Sequence, residues 1–365
     1  MKFLHTSDWQ LEMGFKSIQE KASQLRRARV DAVKQLVALA DKERVDFVLA
    51  AGDLFDNNRI EHKVIEEVAN ILSKCSAPVY LLPGNHDPLA PDSPYVLRQD
   101  LFKDSAIVLR EEKPITFTCA SGGNTKVTLY PCPLKTKLSN QDPTRWIPPK
   151  GADDGIRIGV AHGSIGTPNP DDFPIVKDAA RVRELDYLAM GHFHSVKKVD
   201  ERTYYCGTPE PTNFGQVNAG QVLLVEIPSA GATPRVTERQ VSRFTWKDVA
   251  RDLHNESDVD ALLKEIEQMN NPSTLLRISC TGVLPQPQID RIEALSNERL
   301  AYLRVDTKIA IADGAWSYHH PLLSQMASML TEKANANGED SAHAKRALSR
   351  LAYLAKSAGF RKEDL

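Results

Sequence analysis

A chain of 365 residues, 41% hydrophobic and 26% charged, is longer than one core usually serves and reads as two or three globular domains, not as a disordered polypeptide. Its formal net charge of −2 excludes a global positive field, so any hold on nucleic acid has to come from local patches or from a partner. Five cysteines, odd in number and never in a CxxC pair, argue against a disulfide framework and a thiolate zinc site and fit a reducing compartment.

The residues Met1 to His5 lack a signal-peptide hydrophobic region, and no run approaches the roughly 20 apolar residues of a membrane helix. A cytoplasmic protein without a membrane partner is expected. Lys2–Thr6 reads as a short buried strand that ends at Ser7-Asp8. From Ser17 to Lys42 the apolar positions Ile18, Ala22, Leu25, Val33, Leu36, Val37 and Ala40 recur at helical spacing, with Ser17 and Glu20 as a capping box. Asp46–Ala51 is the next strand, closed by Gly52-Asp53. A helix over about Glu61–Ser73 then leads to the strand Pro78–Leu82, which ends at Pro83-Gly84-Asn85-His86-Asp87. Such alternation implies parallel strands, whose carboxyl ends face one side, and that side is where open α/β sheets bind ligands.

Beyond Ile107 the pattern changes. Ile115–Ala120 and Lys126–Tyr130 flank Ser121-Gly122-Gly123-Asn124, a hairpin signal. Pro131–Pro149 reads as a long surface loop. Strands are predicted at Ile156–Ala161, Asp186–Met190, Arg202–Cys206 and Gly220–Ile227, which gives a two-layered β core with helices outside. The Pro/Gly/Ser/Ala stretch Pro228–Pro234 reads as a domain connector. After it, helix, strand, helix and strand at Val259–Met269, Leu275–Thr281, Gln288–Leu295 and Tyr302–Lys308 make a small α/β unit. Two helices broken at Asn335–Asp340 fill Pro321–Ser357, with apolar faces at Leu322, Leu323, Met326, Met329 and Leu330 and at Ala347, Leu348, Leu351 and Leu354. From His343 onward Lys345, Arg346, Arg350, Lys356, Arg361 and Lys362 outnumber Glu363 and Asp364.

The residues at the predicted strand ends carry the chemistry. They are Asp8, Gln10, Asp53, Asn85, His86, His162, His192 and His194, the last three in Ala161-His162-Gly163 and Gly191-His192-Phe193-His194. Mn²⁺, Mg²⁺ or Fe²⁺ accept carboxylate, amide oxygen and imidazole together. One bridging carboxylate, for which Asp53 is the candidate, holds two such ions about 3.5–4 Å apart. His5, inside a strand, reads as a buried hydrogen-bonded residue, and Trp9 and Phe193 as packing residues beside the ligands. Gly122-Gly123 is turn chemistry and no phosphate cradle, because no helix start or lysine follows in register.

Asp8-Trp9-Gln10, Gly52-Asp53, Gly84-Asn85-His86-Asp87, Ala161-His162-Gly163 and Gly191-His192-Phe193-His194 resemble, in order and context, the five motifs of calcineurin-like metallophosphoesterases. Leu4-His5-Thr6-Ser7-Asp8-Trp9, Ala51-Gly52-Asp53-Leu54-Phe55-Asp56-Asn57 and Gly207-Thr208-Pro209-Glu210-Pro211 are similar to the SbcD-type DNA repair nucleases within that superfamily. The likeness spans roughly residues 1–310.

The resemblance implies an α/β metallophosphoesterase domain over 1–230, a small α/β capping domain over 235–312 and a helical partner-binding segment over 318–365. It implies two divalent ions, Mn²⁺ first among the candidates: one held by Asp8, Asp53 and His194, the other by Asp53, Asn85, His162 and His192. His86 would position the phosphate and protonate the leaving oxygen, with Asp87 orienting its imidazole. It further implies a DNA substrate, a homodimer, and an SMC-like ATPase subunit of the SbcC type as partner. The chain departs from the family at Gln10, where histidine is usual, so the ion at Asp8 is expected to bind more loosely. Two other functions stay open on the same motifs: a phosphoesterase for small phosphodiesters or phosphoproteins, and an inactive DNA-end-binding scaffold.

Overall fold

The computed structural model describes residues 1–365 except 120, 152–153, 167–168, 297, 312–319, 336–340, 342, 345–346, 349, 352–353 and 356–365. It divides into two compact units, Met1–Thr245 and Trp246–Leu365. The first unit is built on two six-stranded sheets. One runs in the order Arg235–Gln240, Gln221–Glu226, Lys2–Thr6, Phe47–Ala51, Val79–Leu82 and Ile107–Val108. The other runs Lys197–Lys198, Thr203–Tyr205, Tyr187–Gly191, Ile156–His162, Thr125–Pro131 and Ile115–Cys119.

Strand parity sorts the apolar residues into layers, because successive side chains leave a strand on opposite faces. Phe3, Phe47, Leu49 and Ala51 join Leu129, Ile158, Val160, Tyr187 and Ala189 in the core between the sheets. Leu4, Val48 and Ala50 face the other way, into a second core with Val33, Leu36 and Val37 of helix α1 (Ala22–Glu43) and Ile65 and Val68 of helix α2 (His62–Leu72). Strands apolar on both faces are what a sheet buried on both sides requires. A third cluster, with Ala161, Leu188, Met190 and Tyr205, covers the outer face of the second sheet. This is the α/β fold with a two-layered β core flanked by helices that the sequence predicts.

The differences are local and have physical causes. The capping box at Ser17 and Glu20 does not form. Lys16–Lys21 is a 3-10 turn that kinks at Ile18, and α1 starts after Lys21 with no side-chain cap. The stretch 131–149 is no wholly exposed loop, since Cys132, Leu134, Thr144 and Ile147 are buried. The supposed connector at 228–234 joins two neighbouring strands of one sheet, because Arg235–Gln240 pairs antiparallel with Gln221–Glu226. The first unit accordingly runs on to Thr245.

The second unit has a three-stranded sheet of Thr245–Leu253, Thr274–Leu284 and Tyr302–Ile311, the last two parallel. Helices Glu256–Met269 and Gln286–Glu293 supply Val259, Leu262, Ile266, Ile289 and Ile292 to its core. Helix Pro321–Asn335 turns Ala327 inward against Ala355, with Leu323, Leu348 and Leu351 packed around them, while Leu322, Met326 and Met329 stay exposed. The described residues of 341–355 are helical. The predicted break at 335–340 and most of the basic run, including Lys345, Arg346, Lys356, Arg361 and Lys362, lie outside the described residues. Among the described residues no helix is long and apolar enough to cross a membrane.

Candidate metal centre

Lys2–Thr6, Phe47–Ala51 and Val79–Leu82 run parallel in one sheet, and Ile156–His162 and Tyr187–Gly191 run parallel in the other. Their carboxyl ends release five loops at one edge of the sandwich. Backbone bonds then knit the loops together. Asp8 N donates to Gly52 O (2.9 Å), Gln10 N to Asp53 O (3.0 Å) and Leu11 N to Leu54 O (2.9 Å). Two close approaches demand glycine: a Cβ on Gly52 would run into the His162 ring, and one on Gly84 into the Asp53 carboxylate. Asp8, Gln10, Asp53 and His192, none of them glycine, all take positive φ at 52°, 48°, 55° and 105°, a conformation that costs such residues free energy and clusters at functional sites.

Six of the predicted ligands converge. Single donor atoms of Asp8, Asp53 and His162 lie within 4.8 Å of one another, all three residues buried. His162 Nε2 is 3.3 Å from Asp53 Oδ2 and 2.9 Å from Asn85 Oδ1. His192 Nδ1 is 3.2 Å from the same Asn85 oxygen, and His194 Nε2 is 3.8 Å from Asp8 Oδ1.

The donor chemistry fits a cation. His162 Nδ1 lies 2.9 Å from the Ala51 carbonyl, which can only accept, so the ring proton sits on Nδ1. In the neutral ring the Nε2 lone pair is thereby aimed at two oxygens. His192 repeats the pattern: Nε2 lies 3.1 Å from the Asp172 carboxylate, so Nδ1 aims its lone pair at Asn85 Oδ1. Lone pairs turned on one another from imidazole, amide and carboxylate repel unless a positive charge lies among them. The same crowding of oxygens draws a proton to His162 wherever no metal ion competes for its Nε2 lone pair. Burial pushes the His162 imidazole down, but Asp53 and Asp8 override it and hold its pKa above the ordinary range. Burial likewise opposes the charge on Asp53, yet His162 and the His86 N–H keep it below the usual carboxylate value. Burial lowers both His192 and His194, the former helped by the charge of His162.

Three predicted residues stand apart from that set. His86 donates its backbone N–H to Asp53 Oδ1 (2.8 Å), and its ring, half exposed at the rim, places Nδ1 3.0 Å from the Asp56 carbonyl. That contact engages Nδ1 and does not involve Nε2. Asp87 does not orient the His86 ring as expected. Its carboxylate is wholly buried and accepts from the backbone N–H of Gly84, Leu54 and Phe55 and from the Tyr95 hydroxyl (2.6 Å). It therefore clamps the Gly52–Phe55 and Gly84–Asp87 loops to each other, and Asp56 takes the place expected of it beside His86. Gln10, expected to offer its carbonyl oxygen, turns its amide nitrogen to Asp53 Oδ2 (3.1 Å).

Supporting residues appear that the sequence reading passed over. Asp172 backs His192, while Thr212 Oγ1 and Gln216 Nε2 lie 3.0 and 3.1 Å from His194 Nδ1. Arg29 of α1, buried, donates to the carbonyls of Trp9, Glu210 and Pro211. The sequence did carry a signal for Arg29. It sits four residues after Leu25 and four before Val33, on the apolar stripe of the helix, where a charge must serve buried acceptors. Asp172 has none, being one of several polar residues in a loop.

Two residues play the packing roles expected of them. Trp9 is buried with its indole N–H on Thr6 Oγ1 (2.9 Å), and Phe193 packs edge-on to Tyr205.

Residues 1–196 match the family model for calcineurin-like phosphoesterases. The chain is 22% identical over 281 residues to the uncharacterized metallophosphoesterase YhaO of Bacillus subtilis, covering 73% of this chain and 67% of that protein. It is 24% identical over 261 residues to the DNA double-strand break repair protein Mre11 of Thermoplasma acidophilum, covering 65% of this chain and 64% of that one. Among solved structures, a dimetal phosphatase from Danio rerio superposes at a TM-score of 0.39 with 12% identity, over 65% of this chain and 98% of its own.

Proposed function

Because the chain belongs to the calcineurin-like phosphoesterases, we propose that its metal centre hydrolyses phosphodiester bonds of DNA, as a nuclease of the SbcD type acting at DNA ends. One observation carries the reading: Asp8, Asp53, Asn85, His162, His192 and His194 converge from five loops, and the neutral rings of His162 and His192 turn their lone pairs on the oxygens of Asn85 and Asp53. Divalent ions held there, Mn²⁺ foremost, would neutralise the phosphodiester oxygens and lower the pKa of water. His86, half exposed and with Nε2 free of the Asp56 contact, is the group to protonate the leaving oxygen. The preference for DNA is supported by the SbcD-like motifs and by similarity to a protein named for double-strand break repair.

The partner we assign is an SMC-like ATPase, whose coiled coil would take the stripe Leu322, Met326 and Met329 by a helix-in-groove contact. A homodimer through the N-terminal helices belongs to the same reading. One specific observation favours a second reading, the inactive DNA-end scaffold: Gln10 presents an N–H where the family has an imidazole.

The test is degradation of linear DNA with Mn²⁺, beside Asp53→Asn and beside hydrolysis of bis(p-nitrophenyl) phosphate. DNA cleavage that vanishes in Asp53→Asn is the expected result. Ester hydrolysis without any action on DNA would hand the site to small phosphodiesters, and the loss of both would leave the scaffold.

A further inference from the structure

Residues 135–138 form an arch fixed at both ends to loops of the metal centre. At one end Leu134 N donates to Pro83 O (3.2 Å) and Leu89 N to Leu134 O (2.8 Å), so the arch springs from the loop that carries Asn85 and His86. At the other, Ser139 N donates to Asp171 O and Phe173 N to Ser139 O, both 2.9 Å, so it lands on either side of Asp172. Thr136 Oγ1 closes it on Leu138 O (2.9 Å). Lys135 and Lys137 stand exposed on this fixed backbone.

Beside the arch lies a hollow of 420 Å³. Its wall includes Arg59, Lys135 and Lys137 against one carboxylate, Asp92, which already accepts from Asn58 Nδ2 (3.0 Å). Among the described residues none of the three cations makes an ion pair. The hollow is also lined by Asn57, which follows Asp56, and by Pro88, two residues beyond His86. It thus shares walls with the two loops that hold the proton-delivering imidazole. A surplus of two positive charges, presented from the pinned arch and from the loop that carries Asp56, suits an anion that recurs along a chain. The whole protein, at −2, offers no general attraction in its place.

We propose that Arg59, Lys135 and Lys137 form a backbone subsite that binds the DNA phosphates flanking the scissile one. This rests on the nuclease reading above. The test uses the full chain and a fluorescein-labelled, phosphorothioate-protected single strand, with anisotropy followed across a salt series in Mn²⁺ buffer. The triple variant Arg59→Gln, Lys135→Gln, Lys137→Gln is expected to bind about five- to tenfold more weakly at low salt, and its log K against log salt slope to flatten by about 2. Its bis(p-nitrophenyl) phosphate turnover should match the wild type, which also shows that it folds. Lys42→Gln, Lys74→Gln, Lys103→Gln removes the same charge; Lys42 and Lys74 lie at the carboxyl ends of α1 and α2, on the sheet edge away from the metal centre. It should bind as the wild type does.

Undiminished affinity and slope in the first variant, or equal weakening in both, overturns the subsite and leaves the nuclease reading intact. A wild type that hydrolyses the ester but binds no DNA overturns the two together.

Discussion

The Nε2 atom of His192 lies 3.1 Å from Oδ2 of Asp172, while Nδ1 of the same ring faces Asn85 Oδ1 at 3.2 Å. One nitrogen is thus fixed by a carboxylate and the other is aimed into the metal centre, so the carboxylate sets tautomer and ring angle at once. We expect Asp172→Ala to weaken Mn²⁺ binding by about 10- to 100-fold, read by isothermal titration calorimetry without substrate. Asp172→Asn, which still accepts a hydrogen bond, should recover part of the loss. Equal affinities in all three proteins would mean that the ring is positioned by its packing alone.

Gln10→His should strengthen the weaker of two metal sites and raise turnover. The position is buried at φ 48°, a left-handed conformation that histidine tolerates better than most residues. An imidazole in place of the amide would offer the Asp8 and His194 side of the centre a nitrogen lone pair where Gln10 now turns an N–H to Asp53. Titration calorimetry on the two proteins, with DNA cleavage rates alongside, measures both parts. A variant with the same two affinities as the parent would contradict the expectation.

Arg29 serves three buried carbonyls from one guanidinium, tying the loop of Asp8 to the loop of Glu210. Truncation to methionine keeps the apolar stem and strands the acceptors, so a loss of about 2–4 kcal/mol is expected. Urea unfolding followed by circular dichroism is the measurement. A change under about 0.5 kcal/mol, the ordinary surface value, would show that water replaces the guanidinium.

Glu210 supplies a pH dependence. Burial raises its carboxyl to about 7 from an ordinary 4.5, against the lowering pull of the Arg243 and Phe244 N–H groups and Arg29. The folded state therefore holds this proton more tightly than the unfolded chain. The stability it contributes is complete below about pH 4.5 and is lost as the pH climbs through about 7, roughly 3 kcal/mol in all. Glu210→Gln cannot ionise, so between about pH 5 and about pH 8 its melting temperature should fall less than that of the wild type. Parallel curves would place the carboxyl at its ordinary pKa.

Metal should stabilise the fold as well as drive the reaction, because the opposed lone pairs of His162, His192 and Asn85 are assembled only in the folded chain. Mn²⁺ at about 100 times its dissociation constant should add about 2.7 kcal/mol, seen as a rise in melting temperature that EDTA reverses. In Asp53→Asn the rise should shrink sharply.

Much of this centre is legible in the sequence because its ligands follow strands that are apolar on both faces, and such runs are conspicuous. The Asp, Asn and His residues that end them announce the edge where the loops gather. What the chain order hides is who meets whom. Asp87 stands next to His86 in sequence and looks like its partner, yet its carboxylate is spent on three backbone N–H groups and Tyr95. Asp172 is 20 residues from His192 and has no periodicity or motif to mark it. Arg235–Gln240 does not stand out as a strand in the sequence because it is a charged sheet edge, partly exposed along its length, and a Pro/Gly-rich turn before it resembles a linker.

The left-handed backbone at Asp8, Gln10, Asp53 and His192 bears on how such a protein drifts. Each of these residues would sit more comfortably there as glycine, so losing a ligand can make the chain sturdier even as it becomes inert. A lineage released from selection for catalysis should accumulate glycines at these turns first, and the persistence of Asp8, Asp53 and His192 in any descendant is a readable sign that the chemistry is still in use.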